Sequence, residues 1–165
     1  MSKNPYRQDR EEMRELLKQF ENLKSGRSHA FIDEDSFEHI IDYFEEKEDV
    51  PTAIIAADFA IEQYPYSSAL LIRKADLLIG TRKYNDALDL LDRAEVFGSS
   101  DINLYILKTD IFLALDQQEK AVELLEEAIH HFEGEERIEL LFELSDVYDD
   151  YEEFEKVFDC LKLIL

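Results

Sequence analysis

The fold is decided by three eight-residue stretches that stand 34 residues apart: AIIAADFA at 53–60, ALDLLDRA at 87–94 and AVELLEEA at 121–128. Each stretch begins and ends with an alanine, and the apolar residues between them recur at the spacing of an amphipathic helix. A fourth copy, VFDCLKLI at 157–164, follows a two-residue insertion near Glu135. A fixed period of this length indicates a repeat architecture.

A second helical stretch precedes each of these four. The upstream stretches are FEHIIDYFEE at 37–46, LLIRKADLLIG at 70–80, YILKTDIFLAL at 105–115 and LLFELSDVYDD at 140–150. Each unit is therefore predicted to be two helices joined by a short turn. One such pair cannot bury its own apolar face, so the units must stack. The predicted units are 34–67, 68–101, 102–135 and 138–165.

The units resemble the tetratricopeptide repeat, in which three positions are small so that helices can approach closely. Position 8 holds Ile41, Ala75, Thr109 and Ser145; position 20 holds Ala53, Ala87, Ala121 and Val157; position 27 holds Ala60, Ala94, Ala128 and Ile164. The resemblance implies an all-α fold, a right-handed α-solenoid of four repeats over 34–165. Position 7, usually Leu in that family, is Lys74 and Lys108, and we expect their stems to lie on apolar surface with the ammonium groups in water.

Residues 1–33 are predicted to form an N-terminal amphipathic helix, over 7–24, and a linker anchored by Phe31 and Ile32. The apolar stripe of the helix is Met13, Leu16, Leu17, Phe20 and Leu23. We expect this stripe to pack on the first repeat or on a second copy of the chain.

Several polar residues are predicted to cap helices. Asp35 with Glu38 is typical of a capping box before the first repeat helix. Ser67 or Ser68 is predicted to cap the next first helix, and Asp101 the one after it.

Composition limits the possible partners and locations. The net charge is −22; residues 1–30 carry +2 and residues 31–165 carry −24. Because phosphates would be repelled, nucleic acid is excluded as a partner. No apolar run approaches the roughly 18 residues of a membrane span, and no signal peptide is evident. The single cysteine favours a reducing compartment, so we expect a cytoplasmic protein without membrane attachment.

No constellation of residues indicates catalysis, a metal or a cofactor. His130 and His131 are adjacent on a helix, so their side chains point about 100° apart and are poorly placed to share a metal. Cys160 lies on an apolar helix and is interpreted as a buried structural thiol. Gly-rich phosphate loops, GxSxG and HExxH are missing from the sequence. We therefore expect a protein that is not an enzyme.

The resemblance implies that the first helix of each repeat lines a concave groove. Position 9 of those helices is an aspartate in every unit: Asp42, Asp76, Asp110 and Asp146. Other predicted groove residues are Glu38, His39, Ile72, Arg73 and Ile106. An apolar floor between two acidic ends would suit a protein or peptide with basic and apolar residues. The alternative is that these aspartates make only local contacts between repeats.

The leading hypothesis is therefore an interaction scaffold. The alternative is a structural or self-association module that forms the N-terminal part of a longer repeat protein.

The last helix is predicted to place Leu161 and Ile164 against its partner helix and to leave Leu163 and Leu165 directed at a further repeat. We expect either that the natural protein continues or that another copy covers this edge; a natural end with a slightly sticky terminus is the remaining possibility. The N-terminal helix is a second candidate for homo-oligomer contacts.

The register of the repeat predicts that Ala87 and Ala121 lie at tight helix crossings. Replacing either residue by Leu is expected to overpack the crossing and lower the free energy of unfolding by roughly 1–3 kcal/mol. Thermal or urea denaturation measures this effect, and unchanged melting would contradict the register.

Overall fold

The computed structural model describes residues 5–98 and 100–165, with side chains from residue 9 onward. Within these residues the chain forms nine helices and no strand, so the all-α prediction is confirmed. The helices are α1 (Pro5–Lys24), α2 (Glu34–Glu46), α3 (Val50–Gln63), α4 (Ser68–Gly80), α5 (Tyr84–Val96), α6 (Ile102–Ala114), α7 (Gln118–Ile129), α8 (Gly134–Asp150) and α9 (Phe154–Ile164).

The helices after α1 form four stacked pairs. The pairs are α2–α3, α4–α5, α6–α7 and α8–α9, and the second helix of each pair also packs on the first helix of the next. Successive first helices contact one another, α4 with α6 and α6 with α8, so they lie on the inner side of the stack. The insertion near Glu135 falls at the start of α8, which has 17 residues where the other first helices have 13.

Small side chains allow the close packing within each pair. The alanines at positions 20 and 27 of the first three units have no exposed surface: Ala53, Ala60, Ala87, Ala94, Ala121 and Ala128. The burial predicted for Ala87 and Ala121 is thus confirmed. Thr109, at position 8, is also buried, and its hydroxyl donates a hydrogen bond to the carbonyl of Tyr105 at 2.9 Å. The one polar side chain at these crossings in the third unit is therefore satisfied.

Each pair is joined by the same three-residue turn. In the second unit the amide of Lys83 donates to the carbonyl of Leu78 at 2.9 Å, and the amide of Arg82 donates to Ile79. This pattern is the Schellman motif, whose middle residue adopts a left-handed conformation. In the four turns this middle residue is Glu48, Arg82, Asp116 or Glu152, with φ between 57° and 60°. None is a glycine, which is why the sequence alone gave no sign of this turn.

Two lysines that were predicted to be solvated form ion pairs with the preceding repeat. The Lys74 ammonium lies 2.5 Å from Asp58 of the preceding unit. The Lys108 ammonium lies 2.7 Å from Asp92 and 2.6 Å from Glu95, and the residue is buried. Burial by itself would lower the pKa of Lys108, but these two carboxylates raise it by more, so the net shift is upward. The prediction that the amine reaches water was therefore wrong for Lys108, whose buried ammonium faces carboxylates of the helix before it, whereas the Lys74 side chain keeps 20% of its surface exposed.

Helix capping agrees with the sequence at two of three positions. Ser67 caps α4 and Asp101 caps α6. The cap of α2 is Asp33, which accepts a hydrogen bond from the amide of Ser36 at 2.8 Å. The predicted capping box of Asp35 with Glu38 was wrong, because α2 begins at Glu34, which places Asp35 inside the first turn and Asp33 at the cap.

The N-terminal helix α1 packs on the first repeat. Phe20 is 1% exposed, and its ring centroid lies 5.9 Å from that of Phe44 and 6.2 Å from that of Phe59. Leu16 and Leu23 pack against the same cluster. The side chain of Arg7, a basic residue near the start of α1, lies outside the residues whose side chains the structure describes. No helix in the described ranges has both the length and the hydropathy needed to cross a bilayer.

The linker is held by the end of α3. Ile32 is buried; its amide donates to Gln63 Oε1 at 3.0 Å and its carbonyl accepts from the Tyr64 hydroxyl at 3.0 Å. Phe31, predicted as part of the apolar anchor, is 71% exposed and contacts only the edge of the Tyr64 ring. Ile32 alone is therefore the buried anchor.

The last helix, α9, buries only one side chain fully, that of Cys160. Ile164 is partly buried against α8 as predicted, whereas Leu161 is exposed by 38%. Leu161 lies four residues after Val157 and three before Ile164, on the same face of α9 as these two partly buried residues, so its packing on the partner helix stays a prediction. The other exposed apolar residues of this segment are Phe154, Phe158, Leu163 and Leu165.

The left-handed turn residues are expected to be sites of easy stabilisation. Glycine at Glu48 or Arg82 removes a steric cost of about 1 kcal/mol, part of which is offset by glycine's greater freedom in the unfolded chain. Glu48→Gly and Arg82→Gly should each raise the free energy of unfolding by roughly 0.5 kcal/mol. Glu123→Gly, on the exposed face of α7, is the control and should lower it by roughly 0.5–1 kcal/mol. Urea denaturation measures all three, and destabilisation by the turn variants would contradict the expectation.

Candidate partner-binding groove

A cavity of about 400 Å³ lies on the inner side of the stack, between α2, α4 and α6. Six of the nine predicted groove residues line it: Glu38, Asp42, Ile72, Arg73, Asp76 and Ile106. The other lining residues are Leu107, which the repeat register also places in the groove, and Ala69, Asp101 and Asn103, which were not assigned to it from the sequence. Asp101 was recognisable only as a helix cap, and it caps α6 while also facing the cavity.

Arg73 organises the end of the groove near the first repeat. One of its amino nitrogens lies 2.6 Å from Asp42 and also contacts Glu45, and the other lies 3.6 Å from Asp76. A planar guanidinium suits this role because it presents several donors in a fixed arrangement. At this end, therefore, one internal cation contacts three carboxylates of two repeats and partly offsets their charge.

The other end of the groove is acidic and carries no such cation. The pKa of Asp110 is raised, first by burial and then by the charge of Asp76. The pKa of Glu143 is raised by burial and then by the charges of Asp110, Asp146 and Glu139. Asp110 is exposed to solvent, so the burial that raises its pKa is only partial. Among the described residues, Asp110, Glu143 and Asp146 form no ion pair.

The remaining predicted residues lie outside the cavity. Asp146 is exposed on α8, beside Glu143. His39 is exposed on α2; the pKa of Asp33 is lowered mainly by hydrogen bonds from Ser36 and only slightly by His39. In the middle of the groove, Asp76 lies beside the apolar residues Ile72, Ile106 and Leu107.

Other candidate reactive residues are placed as follows. His130 is the exposed residue that ends α7. Burial raises the pKa of Cys160, which favours the neutral thiol. The described residues contain no group of three or more histidine, cysteine or acidic side chains placed to hold a metal ion.

Like charges in the groove give a stability prediction with a defined sign. Because the pKa of Asp110 is raised in the folded state, its ionisation opposes folding at neutral pH, and this penalty fades as pH falls towards the unfolded value of about 4. Asp110→Asn should therefore stabilise the protein at pH 7 by roughly 0.5 kcal/mol after solvent screening. The gain should shrink towards pH 4 and in high salt.

Asp89→Asn, on the exposed face of α5, is the matched control. It removes the same charge away from the groove and should give a smaller gain. Urea denaturation at several pH values compares the two, and a loss of stability in Asp110→Asn at pH 7 would contradict the placement of Asp110.

Comparison with known proteins supports the fold at low sequence identity. No family model matches the sequence, and neither does any curated protein. Several solved structures do match. YrrB, described as a TPR protein with an unusual peptide-binding site, has a TM-score of 0.63 and 15% identity and covers 90% of this chain and 72% of its own.

Two further structures cover similar shares. MamA from Desulfovibrio magneticus RS-1 has a TM-score of 0.65 and 17% identity, with 80% of this chain and 73% of its own covered. The nearly identical TPR-like repeats of a putative kinesin light chain from Podosopora anserina have a TM-score of 0.69 and 15% identity, with 95% and 87% covered. Together with the stacked helix pairs and their buried alanines, these likenesses show that the chain has the tetratricopeptide-repeat fold.

Proposed function

We propose that this chain is an interaction scaffold that binds a protein or peptide in the groove lined by α2, α4, α6 and α8. Solved structures of the same fold include a TPR protein with a peptide-binding site, which supports a partner of this class. The proposed contact residues are the nine predicted from the sequence, together with Glu143.

One observation carries the proposal: among the described residues no cation pairs with Asp110, Glu143 or Asp146, whereas Arg73 contacts three carboxylates at the other end. Burial raises the pKa of Asp110 and of Glu143, and neighbouring carboxylates raise it further, Asp76 acting on Asp110 and Asp110 with Asp146 and Glu139 acting on Glu143. A partner's cation would relieve that repulsion on binding, so the groove gains more from a basic partner than from a neutral one.

The partner's chemistry follows from the lining. Ile72, Ile106 and Leu107 offer apolar contact beside the carboxylates, and the cavity of about 400 Å³ falls within the size range of pockets that hold one or two side chains. A segment that carries basic residues and one or two apolar anchors suits both features. We further propose that the protein acts without catalysis and in the cytoplasm, where its single cysteine would remain reduced.

Charge reversal tests the proposal directly. In Asp110→Lys combined with Asp146→Lys, neither change breaks an ion pair, so the fold should persist. Partners captured from native lysate by the unchanged protein should be lost by this variant, and their retention should fall as salt rises. Quantitative mass spectrometry measures the capture, and circular dichroism checks the fold.

The matched control is Asp89→Lys combined with Glu123→Lys, on exposed faces of the second helices α5 and α7. It changes the net charge by the same amount away from the groove and should keep the partners. If the groove variant and the control capture the same proteins equally well, the groove is not the binding surface.

The exposed apolar side chains of α9 favour a second candidate function, self-association through the last helix. Phe158 and Leu163 are more than 60% exposed, and clusters of this kind often mark contacts. A mass that rises with protein concentration in light scattering would favour this candidate.

A further inference from the structure

We propose that a second cavity, between α7, α8 and α9, binds a lysine or arginine side chain of a partner segment. At the two earlier repeat junctions, a lysine of the chain itself occupies the corresponding place. This cavity has a volume of about 670 Å³ and shares no lining residue with the groove. A negative result for this cavity therefore does not count against the proposed groove function, and a negative result for the groove does not count against this cavity.

The first two repeat junctions set the pattern. At each, the lysine at position 7 of a first helix reaches back to the aspartate at position 25 of the preceding unit: Lys74 to Asp58 at 2.5 Å and Lys108 to Asp92 at 2.7 Å. The two lysines and the two aspartates are each 34 residues apart. An ammonium group beside a carboxylate is thus a repeated feature of the stack.

The third junction keeps the carboxylate and lacks the lysine. Its position 25 is Glu126 and its position 7, after the two-residue insertion, is Leu144; both line the cavity. Leu144 offers no cation, and Glu126 instead accepts a hydrogen bond from the Tyr148 hydroxyl at 3.1 Å. The cavity lies where the lysine stem and its ammonium lie at the earlier junctions.

The lining matches an ammonium or guanidinium on an aliphatic stem. Apolar walls are supplied by Val122, Ile129, Leu141, Leu144 and Leu163. Glu126 supplies the carboxylate; Asp159, from α9, also lines the cavity, but it already pairs with the Lys162 ammonium at 3.3 Å. The volume exceeds that of one side chain, so an apolar neighbour of the partner's basic residue can enter as well.

Three basic side chains also line this cavity, and they define the competing outcome. The Lys156 ammonium is engaged by Glu153 and by the face of the Tyr148 ring, 4.9 Å from its centroid. Arg137 and His130 are exposed and form no ion pair with a described residue. An acidic ligand would go to Arg137, so the test includes one.

The experiment uses three short peptides with blocked ends: leucine–lysine–leucine and the same peptide with norleucine or glutamate in the middle. Binding to the full chain is followed by methyl signals of Val122, Ile129 and Leu141 in NMR titrations at about 150 mM salt, where long-range attraction to the acidic surface is screened. The lysine peptide is expected to bind at least fivefold more tightly than the norleucine peptide, and the glutamate peptide more weakly still.

Two variants locate the site. Leu144→Lys restores the internal lysine, so it should keep the fold and weaken the lysine peptide at least tenfold. Glu126→Gln should weaken binding of the lysine peptide about fivefold. This second variant tests the proposal if Leu144→Lys fails to fold. Asp89→Asn, on the exposed face of α5, is the control and should leave the affinity measured at the cavity signals within twofold; Asp110→Asn reports whether the same peptide binds in the groove instead.

The proposal is overturned by any of four results. They are no shift of the cavity signals with the lysine peptide, equal affinity for the norleucine peptide, tighter binding of the glutamate peptide, or undiminished binding by folded Leu144→Lys and Glu126→Gln. Loss of binding in Asp110→Asn would place the peptide in the groove and also overturn it. None of these results bears on capture of partners by the groove variant described above.

Discussion

Close approach of two helices at an alanine is the constraint on which the rest of this structure depends. Helix axes can come near each other only where the facing side chains are small, and the interior around such a crossing must be densely filled. Here alanines recur with the 34-residue period at both crossings of the first three pairs, with no exposed surface. Because the crossings repeat, the turns, the ion pairs and the inner face repeat with them, and a groove along the first helices follows.

The second theme is how so acidic a chain holds together. Its net charge is −22, and self-repulsion of this size opposes compaction. The few cations inside the array are placed on carboxylates of a neighbouring repeat: Lys74 and Lys108 between helices, and Arg73 in the groove. These contacts join successive units and so lie where repulsion between units would otherwise act.

Both proposed binding regions are places where that internal pairing stops. In the groove, no arginine follows Arg73 into the third and fourth units, and the carboxylates there repel one another. At the junction of α7 and α8, leucine stands where the earlier junctions have lysine. Both departures fall in the C-terminal half of the array. An external cation in either place would restore a contact that the chain itself makes elsewhere.

The sequence by itself determined the period, the helix pairs, the buried alanines and the aspartate at each position 9, because these depend on local spacing along one helix. It did not determine the burial of Lys108 or the capping of α2 by Asp33, because these depend on distances between elements. The left-handed turns were hidden since non-glycine residues occupy them. Only the tertiary structure decided which of the many carboxylates lack a cation, because a charge is balanced by its neighbours in space and not by its neighbours in the chain.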